Sequence, residues 1–170
     1  MFLDLFKNLS LKKTVKKSLS KVQPLSGNRI TTINLLVDGT RFNEIAQLTE
    51  EFVKNGIKKE NIKMLVLTKD KTKVNSDNII YFRSKDISVR GSILKDEMNS
   101  FVFVKSDLLV NYYQEQIDLE YIACKSVADF KVGFVTGKES ANHLSIDCPL
   151  SDYKLFTVEL FKYLKAFNKI

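Results

Sequence analysis

From Ile30 onward, short apolar runs alternate with stretches whose apolar positions recur every three or four residues. ITTINLLVD (30–38), NIKMLVLT (61–68), NIIYF (78–82), DLLVNYY (107–113), FKVGFV (130–135) and HLSID (143–147) are rich in β-branched and aromatic residues and read as strands. FNEIAQLTEEFVKNG (42–56) places Ile45, Leu48, Phe52 and Val53 on one helical face, with Gly56 as its stop. SILKDEMNSFVF (92–103) and IDLEYIACKS (117–126) are two further helices. In the closing helix Ser151 is the expected cap, Leu150 can staple to Leu155, and the apolar face runs through Phe156, Leu160, Phe161 and Leu164. Near-continuous apolar strands alternating with amphipathic helices indicate α/β architecture, a three-layer Rossmann-like sandwich around a mostly parallel sheet of five or six strands.

A different pattern precedes this body. Leu11, Val15, Leu19 and Val22 fall in one sector of a helical wheel with lysines opposite, a basic amphipathic helical arm. Phe2, Leu5, Phe6 and Leu9 form a second stripe that points to another side of the same wheel. The shift falls near Ser10, which could cap a second helix, so the segment is either two short helices or one whose apolar face jumps. VQPLSGN (22–28) reads as a linker. The expected organisation is an arm over 1–22, a linker over 23–29 and a Rossmann-like α/β domain over 30–170.

Charge sharpens this division. The chain carries a net charge of +7; residues 1–22, with six lysines and Asp4 as their only acid, supply +5 of it, leaving a nearly neutral body. A uniformly basic nucleic-acid-binding domain would look different. The 170 residues, 44% hydrophobic and 28% charged, suffice for one domain with its own core. Asp4 interrupts the first apolar stretch and the lysines follow it, the reverse of a secretory signal, and no apolar run is long enough to span a bilayer. Cys124 and Cys148 read as small buried hydrophobes of a reducing cytoplasm, so the expected location is cytoplasmic, with a peripheral position at the inner membrane open to the arm.

In such folds ligands sit beyond the carboxyl ends of the strands. The polar residues there make Asp38, Ser84, Asn111, Tyr113 and Lys138 the candidate crevice-binding set. None forms a catalytic constellation. The first strand is followed by DGTRFNEI, with a single glycine, and neither nucleotide-binding glycine fingerprint occurs. TGKES (136–140) lacks the upstream glycine of a phosphate loop. His143 is the only histidine, no G-x-S-x-G elbow presents a serine, and two cysteines with one histidine cannot close a structural zinc site without carboxylates. No catalytic residue, metal or cofactor is expected, and a non-catalytic protein is favoured over an enzyme.

DLLVN (107–111), a following apolar helix and ADFKVG (128–133) resemble the N-terminal Rossmann domain of lipopolysaccharide heptosyltransferases, through Asp107, Leu108, Ala128, Lys131 and Gly133. Asn111 stands where that family has an Asp, and Asp38-Gly39 reverses its Gly-Asp loop. Those transferases use a second Rossmann domain for the nucleotide sugar, so the resemblance implies a glycosyltransferase-like or nucleotide-binding half-protein needing a partner chain. End to end, through DLLVNYY, ADFKVGF and ELFKYLKAFNKI, the chain is similar to an uncharacterised family of short Bacteroidota proteins, which implies no activity.

The reading that follows is a binding or scaffold module of unknown biochemical role. Its arm, through Lys12, Lys13, Lys16, Lys17 and Lys21, docks to a partner or to the anionic inner-membrane surface, with insertion of Phe2, Leu5 and Phe6 adding a hydrophobic share. The alternatives are RNA or ribosome association, a homo-oligomeric contact, and an arm that merely covers the body. Burial of Val15 and Leu19 against the body would sharply weaken the membrane reading.

Overall fold

The computed structural model describes residues 2–20 and 27–170. Six strands form one parallel sheet: β1 (Ile33–Asp38), β2 (Ile62–Leu67), β3 (Ile79–Phe82), β4 (Ser106–Tyr112), β5 (Ala128–Phe134) and β6 (Leu144–Ile146). Their spatial order is β3-β2-β1-β4-β5-β6, and every pairing is parallel. Five helices accompany them: α1 (Phe2–Leu19), α2 (Ile45–Lys54), α3 (Asp96–Phe103), α4 (Ile117–Lys125) and α5 (Tyr153–Ala166).

The layering follows from handedness. The α2 crossover runs from β1 to β2 in one direction across the sheet, and the α4 crossover from β4 to β5 in the other. Right-handed connections therefore put these helices on opposite faces. On the α2–α5 face the core gathers Leu35, Val37, Phe52, Tyr112, Phe134 and Phe156. On the other face α3, α4 and α1 enclose Leu36, Leu65, Phe82, Met98, Leu109 and Ile122. The α/β sandwich expected from the apolar rhythm is thus present, with six strands and a wholly parallel sheet.

The strands β2 and β3, and β5 and β6, are joined by loops rather than helices. The face that carries α4 is therefore left without a crossover helix beyond it, on the β5 side. There β5 alternates: Phe130, Val132 and Phe134 enter the α2–α5 core, whereas Asp129, Lys131 and Gly133 point the other way. The arm helix α1 packs along α4 and buries Leu11 and Val15 against it, with Leu19 partly covered.

Several local expectations change. The arm is one continuous helix through Ser10, whose carbonyl accepts the Thr14 hydroxyl, so Ser10 is not a cap. In α2, Val53 is 41% exposed; Leu48, Thr49 and Phe52 make the buried face, because a ten-residue helix over a flat sheet presents only a narrow stripe. Gly56 ends that helix with φ 93, a conformation natural to glycine. Asp152, not Ser151, caps α5 by accepting the Leu155 N–H at 3.0 Å. Leu155 itself is exposed, and the Leu150 carbonyl receives the Tyr112 hydroxyl at 2.7 Å. Of the expected linker, residues 23–26 lie outside the described residues, as do Lys21 and Val22.

The two sheet edges differ. Beside β3 the preceding loop turns back, so that Tyr81 N–H donates to Asn75 Oδ1 at 2.8 Å and Ile79 N–H to the Ser76 carbonyl at 3.3 Å. The β6 edge is three residues long.

Asp107 ties β4 to the entry of β1. Its Oδ2 accepts the backbone N–H and the hydroxyl of both Thr31 and Thr32, at 2.8–3.0 Å. Burial works to raise its pKa, but these four donors outweigh it and hold the carboxyl below the usual 3.8. A depressed carboxylate stabilises the fold above its unfolded pKa and loses that contribution as pH falls through the folded value. Asp107→Asn should therefore cost about 1–2 kcal/mol near neutral pH. In urea melts the gap to wild type should narrow as the pH drops below 3.8.

Candidate functional site

The arm is fixed by a lysine turned inward. Lys7, counted among the basic groups of the arm, is only 5% exposed. Its ammonium donates to the Ser84 carbonyl and, at 2.7 Å, to the Ser84 hydroxyl, and lies 2.9 Å from Asp118 Oδ1. The Asp118 contact is an ion pair rather than an aligned hydrogen bond. Ser84 follows β3 and Asp118 opens α4, so the first half of α1 is anchored at the carboxyl end of the sheet. Two hydrogen bonds and one counter-charge thus compensate a desolvated ammonium, the condition under which a buried charge is tolerated.

Because Lys7, Leu11 and Val15 define the inward stripe, the opposite side of the helix is fixed outward. Phe2, Leu5, Phe6 and Leu9 occupy that side in the first half and are 58–80% exposed. Lys12, Lys13, Lys16 and Lys17 occupy it in the second half, all exposed. The two stripes of the sequence thus have different destinations, one against α4 and one into solvent.

The candidate crevice residues divide. Asp38, at the end of β1, is buried and spends its carboxylate on the following turn, accepting the Thr40 N–H at 3.0 Å and hydroxyl at 2.6 Å. Arg41 closes the gap between β1 and β4 by donating to the Gln114 carbonyl at 3.0 Å. Ser84 belongs to the Lys7 anchor. Asn111, Tyr113 and Lys138 do converge, in a crevice between β4, the loop after β5 and the inner side of α1 at Val15 and Leu19. Asn111 is 2% exposed and donates to Asn142 Oδ1 at 2.6 Å, while its own Oδ1 has no hydrogen-bond partner among the described residues. Gly133 makes this approach possible, since a Cβ there would lie 2.5 Å from Asn142 Nδ2. Burial drives the Tyr113 phenol well above its ordinary pKa and raises the neighbouring Cys124 thiol, so both are neutral near pH 7. The enclosed cavity is about 50 Å³, room for a few water molecules and not for a nucleotide sugar.

The remaining reactive groups are occupied structurally. His143 Nδ1 accepts the Lys131 N–H at 2.8 Å, and its ring stacks on Phe130. Tyr112 lies in the aromatic cluster of Phe42, Phe134 and Phe156. Cys124 and Cys148 are free thiols, the latter pushed up to about 11 by burial and by the nearby Asp152 and Asp147 charges. Among the described residues no cluster of metal-binding side chains occurs and no helix is long and apolar enough to cross a membrane.

Sequence reasoning missed the anchor. Lys7 and Asp118 are 111 positions apart, and nothing in their neighbourhoods pairs them. The usable signal was the wheel position of Lys7, which adjoins the Leu11–Val15 sector rather than lying opposite it.

The model of a family of unknown function (DUF6913) matches residues 7–167, which takes in α1 from the anchoring lysine onward. No curated protein and no solved structure matches the chain.

Removing one partner of the anchor should be costly because the other charge stays buried. Lys7→Met and Asp118→Leu should each lose about 3–5 kcal/mol in denaturant unfolding, and the double variant should recover a large part of the loss. In limited proteolysis each single variant should be cut within α1 faster than wild type.

Proposed function

Because the chain belongs to the DUF6913 family of unknown function, we propose its role from its own geometry: a non-catalytic α/β module that attaches to the anionic, cytoplasmic surface of the inner membrane. The single observation that carries this reading is the outward side of α1. Four exposed large apolar residues are followed, on the same side of the same helix, by four exposed lysines. An interfacial helix buries its apolar residues at the headgroup boundary while its lysines meet anionic lipid. Each lysine near such a surface contributes about 1 kcal/mol, and full burial of one phenylalanine about 1.5–3 kcal/mol. Attachment by either set alone would be weak; together they suffice for reversible binding.

The Leu11–Val15 stripe takes no part, since α4 already covers it. The anchor supports the reading further, because a helix held by a buried ion pair presents its outward residues without first having to fold. The candidate residues at the strand ends favour binding over chemistry: Asp38 holds a turn, Ser84 holds Lys7, and the cavity beside Asn111 is small.

Co-sedimentation of the full chain with phosphatidylcholine vesicles, with and without phosphatidylserine, tests the proposal. Binding should require the anionic lipid and weaken with salt. Phe2→Ser with Phe6→Ser should weaken it at least about tenfold, the equivalent of roughly 1.4 kcal/mol. Reversing Lys12, Lys13, Lys16 and Lys17 to Glu should abolish it. A chain that stays in the supernatant with both vesicle types, or that instead binds RNA unaffected by the phenylalanine changes, would sink the idea.

A further inference from the structure

We propose that a second site, at the amino-terminal end of β5, binds a small phosphorylated molecule with Lys131 as its central contact. The cleft there has a volume of about 510 Å³, within the range of small-ligand sites. Three separate segments bring lysines to it: Lys105 from the loop before β4, Lys125 from the end of α4, and Lys131 from β5.

Asp129 is the one carboxylate in the lining, and its Oδ2 is buried with no hydrogen-bond partner among the described residues. Its Oδ1 lies 2.8 Å from the Lys105 ammonium. Lys131 is different. Its ammonium donates to the Ala123 carbonyl at 2.7 Å, closing the last turn of α4, and no carboxylate pairs with it among the described residues. Burial accordingly depresses its pKa. The other lysine brought into this face, Lys7, has Asp118 opposite it. A partly desolvated ammonium with one neutral acceptor is an unbalanced arrangement, and an anion supplied from solution would balance it.

A phosphate monoester fits what the cleft lacks. It brings close to two negative charges and three strong acceptor oxygens, matched by Lys131 with Lys125 flanking it. The cleft lies at the opposite end of β5 from the crevice at Asn111 and takes no residue from the outward side of α1, so it stands independently of membrane attachment.

Isothermal titration of the full chain with AMP and with inorganic phosphate, and adenosine as the uncharged control, tests the site. AMP should bind at one site per chain and adenosine should not. Lys131→Met should weaken AMP binding by about tenfold or more, as expected for losing a charge-assisted hydrogen bond. Since Lys131 also closes α4, Lys125→Glu provides the second variant; its side chain is exposed, with its ammonium 5.7 Å from the Tyr121 ring, and it should weaken binding while lowering the melting temperature less than Lys131→Met does. Phe2→Ser with Phe6→Ser should leave AMP affinity unchanged, which separates a soluble phosphate from a lipid headgroup presented at the membrane. If neither AMP nor inorganic phosphate binds, or if AMP binds Lys131→Met and Lys125→Glu as tightly as wild type, the proposal is wrong.

Discussion

A single buried charge decides what the N-terminal helix is. Bringing the Lys7 ammonium out of water carries a desolvation cost of several kcal/mol, which only near-complete compensation offsets. Ser84 supplies two oxygens and Asp118 the counter-charge, from two segments that β3 and α4 place at the same end of the sheet. The compensation exists only when α1 lies along α4 in one rotation. Apolar packing of Leu11 and Val15 would tolerate a small roll of the helix; a geometrically demanding ion pair does not. The rotation that satisfies Lys7 is the one that turns Phe2, Leu5, Phe6 and Leu9 away from the protein.

The same face of the sheet shows what happens where compensation is incomplete. Over β1 and β4 it is mostly apolar, with Asn34 and Asn111 as buried polar exceptions, but over β5 it presents Asp129, Lys131 and Gly133. The arm helix finds its dry seat on α4 and leaves polar spaces next to the strand. One is the tight crevice at Asn111, with a buried amide oxygen unmatched among the described residues; the other is the wider basic cleft at Lys131. Both border the face of β5 that carries Asp129, Lys131 and Gly133.

Much of this could be read from the residues. The strands and helices follow from periodicity, because a parallel sheet covered on both faces demands apolar runs and its helices demand stripes. The double stripe of the arm was also visible, and so was its change of side. Sheet order was not legible, because neighbouring strands are chosen by connection handedness and not by any local pattern. Nor was the Lys7–Asp118 pair, which depends on two elements meeting across most of the chain. The alternation in ADFKVGF was in plain view: read as a continuous apolar run, it concealed Lys131 as an inward lysine, whereas read with period two it places Asp129, Lys131 and Gly133 together. Among the crevice candidates, Asn111, Tyr113 and Lys138, all near strand ends, line one crevice. Asp38 and Ser84 lie apart from it, one holding a turn and the other Lys7, because short polar side chains at strand ends are as readily used by turns and anchors.

The loop that folds back beside β3 has a bearing on how copies of this protein behave at high local concentration. An open parallel sheet ends in strands whose free N–H and C=O groups can template further strands. Here Asn75 and Ser76 already occupy amides of β3, and β6 is too short to nucleate a stable ladder. Crowding on a two-dimensional surface raises encounter frequency between neighbours, and it is there that an uncapped sheet edge would seed fibrous assembly. With both ends of the sheet blunted, the protein can accumulate densely without polymerising strand to strand.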